Sequence, residues 1–589
     1  MAFIPIFVTL CSLFVLREAF KWLRMIAKAR SIGLPLVFVP IDQTNFLWIF
    51  FASRHRFRLR RLLPSWLWHR ISITIPGWEL FEPSNPHQRN LAGRVDSRET
   101  SFTLVGPRSY EFWTADPQLS NEILRRIHDF EQPRELEFLL AKFGPNVLTA
   151  NGDQWSRHRK IVAKVINERI SKAVFEKSIY YSQTLLHDLL PTSPAKNSSI
   201  ETTMLFDRLT EISFSILIGV GIGDKFPWYN EENQEPQPPY QMAYKDALLT
   251  YVNNAFGLAI LPPRILNHWP SWAPGHAKMR KVGRSMTEFC MRNQSLIDQE
   301  QVRIAAGETG ESSPPDFLTL LVQASQGGNG DKRTTLSQNE MISNLFAFTA
   351  GGYKTIAGAL DFAVVLLARF PVWQDWLIEE IDTLIPDAED AAENLEYTTI
   401  FPAAIRTLAF VLETERLYGS ASRLFRVSSG PQTLQTSSGT TIRLPAKTRV
   451  HINVVALHHS SSWKDTNHES DPAHYKPITS IPDEARFRPS RWINTAGSPT
   501  LHFHPPRGTF VPWSQGPRIC PGQKMAQVEI TTLILCLLRR HRIEPMRVQG
   551  ETLREVERRL DAELRDLQWA GIVSLEKGPG LGFSTSQRR

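Results

Sequence analysis

The sequence predicts a mainly α-helical protein with one large domain behind an N-terminal membrane anchor, and three observations predict it. An uncharged, mostly apolar run, AFIPIFVTLCSLFVL, occupies Ala2 to Leu16. Long stretches whose apolar residues recur at helical spacing fill most of the remainder. The polar breaks at Trp228 to Pro239, Gly307 to Pro315, Gly327 to Asp331 and Ser460 to Asp483 are too short to part independent domains. Length alone would allow more, since 589 residues at ~150 per domain make about four. Apolar residues at 42% and charged residues at 21% exclude collagen-like, fully disordered and multi-span membrane proteins. The net charge of +8 hints at an anionic partner or a membrane surface. Only Cys11, Cys290, Cys520 and Cys536 carry thiols. They are too few and too scattered for a disulfide framework or a four-thiolate metal site, which suggests a reducing compartment. A cysteine that does chemistry here acts alone.

With Arg17 and Glu18 tolerated at its edge, the apolar run reaches Phe20, close to the ~20 residues a spanning helix needs. A cleaved signal peptide would carry basic residues before the run and small residues after it, and neither is present. Positive charge follows instead, at Arg17, Lys21, Arg24, Lys28 and Arg30. By the positive-inside rule this leaves the N-terminus outside and the rest of the chain in the cytosol. A second apolar stretch, Ile32 to Phe51, is broken by Pro35, Pro40, Asp42, Gln43 and Asn45, so it makes a poor spanning helix and could lie in the interface. Arg54 to Arg61 then sets five arginines in eight residues among aromatic and aliphatic side chains. Beside an anchor, that run fits anionic headgroups more readily than nucleic acid, and a solvated basic face explains it equally well. The expected division is an anchor at 1–24, a membrane-proximal segment at 25–70 and one domain at 71–589.

Two helices can be placed. Ser337-Gln338-Asn339-Glu340 is a capping box, in which the serine oxygen accepts from the Glu340 amide while the carboxylate reaches back. The apolar pattern then runs to about Arg369, stopped by Pro371. Gly351, Gly352 and Gly358 lie inside it, each costing ~1 kcal/mol relative to alanine. Such glycines suggest close packing or a distortion beside a ligand. The second helix is expected from near Pro402 to Tyr418, with Gly419 as its C-terminal cap.

The sharpest chemical signal is Trp513-Ser514-Gln515-Gly516-Pro517-Arg518-Ile519-Cys520-Pro521-Gly522. A thiolate that binds iron needs positive surroundings and backbone donors. Cys520 stands in a glycine-bounded turn two residues after an arginine, and the helix-like run Gln523 to Leu538 would aim its N-terminal amides and dipole at the sulfur. This segment resembles the haem-binding loop of the cytochrome P-450 monooxygenases, with Trp513 where Phe is usual. Further matches fall in that family's order. Trp155-Ser156-Arg157-His158-Arg159 resembles its Trp-x-x-x-Arg helix, Glu413-Thr414-Glu415-Arg416 its Glu-x-x-Arg pair, and Phe487-Arg488-Pro489-Ser490-Arg491-Trp492 the segment whose arginine completes a charged triad. The glycine-bearing helix resembles the family's distal helix.

The resemblance implies a cytochrome P-450 fold, mainly α with a small β portion, holding haem b (iron protoporphyrin IX). Cys520 would be the axial iron ligand, Trp155, Arg159 and Arg518 would hold haem propionates, with Arg426 a weaker candidate, and Glu413, Arg416 and Arg491 would be structural. Thr355 would support proton delivery. Lys354 stands where the family normally has an acid, which puts the usual proton path in doubt. The implied reaction inserts one oxygen atom from O2 into a lipophilic small molecule, a terpenoid, polyketide or alkaloid intermediate of fungal secondary metabolism. Electrons would come from a separate NADPH-cytochrome reductase, and the enzyme would sit in the endoplasmic reticulum membrane as a single-pass protein. The rivals are a haem-thiolate isomerase or dehydratase, which Lys354 motivates, and a non-catalytic haem-binding membrane protein. Expected pocket walls are the segment before Trp155, Tyr240 to Leu266, the distal helix, Ser420 to Phe425, and Lys577 to Phe583. Gly219-Val220-Gly221-Ile222-Gly223 lacks the full dinucleotide spacing, and His458-His459 and His502-Phe503-His504 lack metal-site companions.

Overall fold

The computed structural model describes residues 3–91, 100–189, 199–200, 202–223, 238–254, 261–307, 316–326, 335–386, 395–465, 471–494, 500–501, 505–545, 547, 549–565, 567–569, 573–575 and 583–587. Helices dominate. Those used below are α1 (Phe3–Arg30), α2 (Phe46–Leu62), α3 (Gly152–Val165), α4 (Glu168–Leu189), α5 (Thr202–Gly221), α6 (His276–Ala305), α7 (Gln338–Arg369), α8 (Ile405–Tyr418) and α9 (Gln523–Arg540).

The β portion is small and centres on a sheet of β1 (Leu36–Phe38), β2 (Ser101–Val105), β3 (Tyr110–Thr114), β4 (Phe130–Glu131), β5 (Arg423–Ser428) and β6 (Arg449–Asn453), in the order β1-β2-β3-β6-β5-β4. β3 and β6 run parallel, with Phe112 opposite Val450, whereas β5 and β6 run antiparallel, with Phe425 opposite His451. One large core joins α4, α5, α6, α7, α8 and α9, and a smaller one packs the sheet around Trp78, Phe112 and Trp113.

Helix α7 begins at the capping box: Ser337 N–H donates to Glu340 Oε2 at 2.9 Å, and Glu340 N–H donates to Ser337 Oγ at 3.4 Å. It runs 32 residues to Arg369, and most of its side chains are buried. Among the described residues it is the one helix long and apolar enough to cross a membrane, and 72% of its apolar window is buried, as in a core helix.

The start of the second helix is corrected. Pro402 sits near the end of a short preceding helix, Tyr397–Ala403, and α8 starts at Ile405. Ala404, at φ −78° and ψ 59°, breaks the two apart. The first amides of α8 find their acceptor elsewhere, since Glu380 takes the N–H groups of Arg406 and Thr407 at 2.6 and 2.9 Å. A remote carboxylate thus caps the helix where no local residue does. Gly419 ends α8 at φ −56°, so it is not a left-handed cap. A Cβ there would lie 2.5 Å from Glu415 O, and close approach is what requires glycine.

Near the N-terminus, the stretch Ile32 to Phe51 divides between β1 and the first turns of α2. The arginine run lies on α2, where Arg56 is buried with its guanidinium over Phe57 and Phe81 while Arg54, Arg58, Arg60 and Arg61 remain exposed. Gly219 and Gly221 are inside α5, which disposes of a phosphate-binding turn there. His502 and His504 lie outside the described residues.

Candidate active site

The cysteine loop is held by its own backbone. Cys520 N–H donates to Trp513 O at 2.8 Å, Ile519 N–H to Gly516 O at 3.1 Å and Ser514 N–H to Val511 O at 3.0 Å. Two positive φ angles, 63° at Ser514 and 74° at Gly516, turn the chain tightly enough for this. Gly516 has no alternative, because a Cβ would fall 2.7 Å from Leu124 O. Helix α9 then opens at Gln523, and the Gly522 amide donates toward the Cys520 sulfur.

Cys520 opens onto a cavity of about 390 Å³. Thr355, Trp155, Arg159 and Arg518 line the same cavity, so five residues from three distant parts of the sequence converge there. Apolar side chains, including Val147, Leu148, Phe317, Phe348 and Leu424, make up much of the wall. Burial pushes the Cys520 thiol up from its ordinary value; the Gly522 amide and the Arg159 guanidinium pull it down, and Glu415 pushes it further up. The cation that the sulfur feels is therefore Arg159 rather than its sequence neighbour Arg518.

Arg518 turns the other way. Its Nη2 donates to Ala150 O at 2.8 Å and Asn151 Oδ1 at 3.0 Å, and its guanidinium sits 4.6 Å above the Trp155 ring. Burial, then the nearby Arg426, pull its pKa down to about 9, and its buried Nε has no hydrogen-bond partner. Arg426 is itself buried, donates to Phe425 O at 2.8 Å, and is pulled down to about 10 by burial. Among the described residues neither arginine has an ion pair, and Glu131 only partly offsets the fall at Arg518, so arginines so depressed, one with an orphaned donor, have room for an anion.

On α7, the Thr355 hydroxyl lies within hydrogen-bond reach of two carbonyl acceptors, Gly351 O at 2.9 Å and Gly352 O at 3.0 Å. The glycines differ in purpose. Gly351 has open space where a Cβ would go, whereas a Cβ on Gly352 would strike Leu217 of α5 at 2.8 Å. Lys354 is not part of the cavity wall; it is half-buried without an ion pair among the described residues, and burial pulls its pKa down. Tyr353 is buried edge-on against Phe214 and donates to Asn253 Oδ1 at 3.3 Å.

Glu413, Arg416 and Arg491 lie away from the cavity in a buried knot. Glu413 accepts from Arg416 Nε at 2.9 Å and Nη2 at 2.8 Å, Arg491 Nε at 3.0 Å, Trp492 Nε1 at 3.0 Å and Arg488 N at 2.9 Å. Burial alone would raise its pKa, but the two guanidiniums overcome that and hold it at about 2. Arg416 also donates to the carbonyls of His458 and Glu484, tying α8 to the chain that leads toward the cysteine loop. His458 accepts from Val511 N–H at 3.0 Å and is a buried core residue; burial pulls its pKa down to about 3.

Of the expected walls, Val147 and Leu148 before Trp155, α7, and Ser420 to Phe425 do line the cavity. The described residues of Tyr240 to Leu266 do not: they pack against α6, as Tyr244 does on Asn293, while Phe317 and Val162 are in the wall. Most of Lys577 to Phe583 lies outside the described residues. One cavity residue was passed over as filler between motif positions: Glu415, 5% exposed in the wall. A charge on an otherwise apolar helix face was the signal that could have found it.

Fold and site together define a helical enzyme built around a single cysteine at the base of an apolar, arginine-edged cavity. The chain belongs to the cytochrome P450 family, whose model matches residues 101–558. It is 77% identical over 589 residues, the whole of both chains, to the "Phomenoic acid biosynthesis cluster cytochrome P450 monooxygenase" of Leptosphaeria maculans. It is 26% identical over 564 residues, 90% of each chain, to cytochrome P450 monooxygenase prx9 of Penicillium rubens. The solved haem domain of cytochrome P450DA shares the fold, with a TM-score of 0.62 over 94% of this chain and 98% of its own, at 16% identity. The protein is a cytochrome P450 monooxygenase, and the family implies a haem iron cofactor. The residues present fit one: a lone thiol as a soft iron ligand, an apolar cavity, and an orphaned arginine donor for a carboxylate.

Proposed function

We propose that this monooxygenase inserts one oxygen atom from O2 into a lipophilic secondary-metabolite intermediate, with Cys520 as the axial ligand of haem b. The observation that carries the reading is the convergence of Cys520, Thr355, Trp155, Arg159 and Arg518 on one largely apolar cavity. Bound haem iron would supply reductive activation of O2. Cys520 would hold the iron through its sulfur. Trp155, Arg159 and Arg518 would grip the propionates, arginine suiting the task because its planar fork meets a carboxylate with two bonds. Thr355, already bonded to helix carbonyls, would hold a proton at its Oγ1 in the cavity.

The substrate class follows from likeness and lining together. The relative at 77% identity is named for a phomenoic acid cluster, and an apolar wall suits an aliphatic substrate drawn from a membrane. Electrons would come from a separate NADPH-cytochrome reductase. The uncharged apolar run Ala2 to Leu16, followed by positive charge that ends with Lys28 and Arg30 in the last turn of α1, supports an anchor that would keep the domain on the cytosolic face of the endoplasmic reticulum. The isomerase reading drew on Lys354 standing where the family normally has an acid; the relative at 77% identity is named a monooxygenase, which favours oxygen insertion over it.

The carbon monoxide difference spectrum of the reduced protein tests the ligand. The wild type is expected to show the thiolate-type band and Cys520→Ser to lose it; a wild-type band without that signature would sink the assignment. For the substrate, lipophilic acid intermediates of the phomenoic type are expected to shift the haem spin state, and silence across all of them would refute the substrate class.

A further inference from the structure

The chain's net positive charge is concentrated at one end. Residues 1–62 hold ten lysines and arginines against two acids, Glu18 and Asp42, a net +8 that equals the net charge of the whole chain. Beyond residue 62 the charges balance. Five of those ten cations belong to α2, which precedes the residues that the family model matches.

Helix α2 has a packed inner face. Ala52 is buried with Trp68 and Ile75, Leu59 and Leu63 close round them, and Arg56 is buried against Phe81. Trp48 Nε1 donates to Thr74 Oγ1 at 2.7 Å. A helix that merely covers a core turns mainly polar side chains the other way. On α2, Phe51, Phe57 and Leu62, the last 78% exposed, share the outer face with Arg54, Arg58 and Arg61, the six falling within about 140° of arc. Those three arginines have neither a hydrogen bond nor an ion pair among the described residues, whereas Arg60 meets Glu82 at 3.4 Å. Trp66, in the short helix Ser65–Ser72 that follows, is 65% exposed.

The start of α2 is tied beside the end of α1. Ile26 and Ala29 of α1 pack on Val105, and Asp42 accepts from the Arg108 and Ser109 amides at 3.1 and 3.0 Å in the turn that follows Val105. Both helices are thus fixed to one hairpin, and an anchored α1 keeps α2 near the bilayer surface. An exposed apolar patch of this kind calls for a cover. A lipid surface matches its whole chemistry: the rings and Leu62 enter the boundary between headgroups and acyl chains, while the arginine stems lie along apolar surface and set their guanidiniums against phosphates. Continuity with the anchor favours lipid over an acidic protein.

We propose that the outer face of α2, together with Trp66, is a second membrane contact, lying in the interface and binding anionic phospholipid headgroups, so that the domain is held in one orientation on the bilayer. The inference rests on the reading of α1 as an anchor.

The test places the full-length, haem-loaded protein in nanodiscs of phosphatidylcholine alone or with about one third phosphatidylserine, which is anionic. Amide hydrogen exchange over residues 51–66 is followed by mass spectrometry, with α7 as the internal reference. Exchange over 51–66 is expected to be about tenfold slower in the anionic discs and to recover in high salt, with α7 unchanged. Arg54→Gln/Arg58→Gln/Arg61→Gln is expected to lose the difference, and Arg54→Lys/Arg58→Lys/Arg61→Lys to keep it, since charge carries the attraction. Equal exchange in the two discs overturns the proposal. So does slowing that appears only when the reductase is added, which would make the face a protein-docking surface. Fast exchange of α1 in both discs would instead refute the anchor. Vesicles of the same two compositions then decide for α2 by itself: slowing on the anionic vesicles upholds the headgroup contact, and none overturns it.

Discussion

Glu413→Gln should destabilise the protein by about 3 kcal/mol at neutral pH. Glutamine keeps the shape but removes the charge, leaving Arg416 and Arg491 buried at about 1% exposure or less with their shared counter-ion gone. Its amide also presents N–H groups where the arginines present N–H groups. Removing one partner of a buried ion pair costs ~3–5 kcal/mol. The lower end applies, because Arg491 keeps Asp483 at 3.5 Å and both arginines keep backbone carbonyls. The depressed pKa gives an independent figure of the same size: a fall from 4.5 to about 2, at ~1.4 kcal/mol per unit, is about 3–4 kcal/mol. The group is fully buried, so solvent screening takes little away. The sign over pH is fixed by the direction of the shift. A lowered folded-state pKa contributes stability that is complete above the unfolded value of ~4.3 and is lost as pH falls toward 2. The gap between wild type and variant should therefore be widest at pH 7 and close across that acid window. Urea unfolding of the detergent-solubilised full-length chain, followed by circular dichroism at stepped pH, measures both. A deficit below about 1 kcal/mol at pH 7, or one that does not narrow in acid, refutes the reasoning.

Gly516→Ala forces a side chain into a left-handed residue with a carbonyl 2.7 Å from its Cβ; a loss of at least about 2 kcal/mol and lower haem occupancy are expected in urea unfolding and in the pyridine haemochrome assay. Trp155→Ala removes a 6% exposed indole and the ring beneath Arg518, so about 3 kcal/mol or more should go, with faster haem transfer to an apo-globin acceptor as the second readout. Lys354→Met deletes an unpaired, half-buried ammonium whose pKa burial depresses. It should hold or raise stability by under about 1 kcal/mol at pH 7, the gain fading as pH approaches the unfolded lysine value of ~10.4; a loss would show that Lys354 has a favourable role.

Local chemistry was readable from the chain. The capping box at Ser337 depends on residues three apart and forms as written, and α7 stops beside Pro371 because proline cannot continue a helix from there. The start of α8 was misread for the opposite reason. Its cap, Glu380, is 26 residues from Arg406 and belongs to another helix, so nothing near Pro402 announced it. Tyr240 to Leu266 was expected at the pocket, but its described residues pack against α6, since apolar side chains bury equally well against a helix. Glu415 was invisible because two glutamates two apart look alike in a sequence; only burial and direction separate the one that pairs with arginines from the one that faces the cavity.

The sequence by itself determined the cysteine loop, the order of the arginine and glutamate motifs, and the long glycine-bearing helix. The loop and the helix cap rest on contacts within a few residues, which side-chain type and spacing dictate, and the order of the motifs is read directly along the chain. Tertiary structure alone decided that Arg159 and not Arg518 is the cation Cys520 feels, that Lys354 lies off the cavity wall, and that Glu415 is buried in that wall on the far side of α8 from the ion knot. Charge and burial are properties of the surroundings, and here those surroundings are assembled from α3, α7, α8 and the cysteine loop, segments spread along the chain from Gly152 to Gly522 that meet only once it has folded.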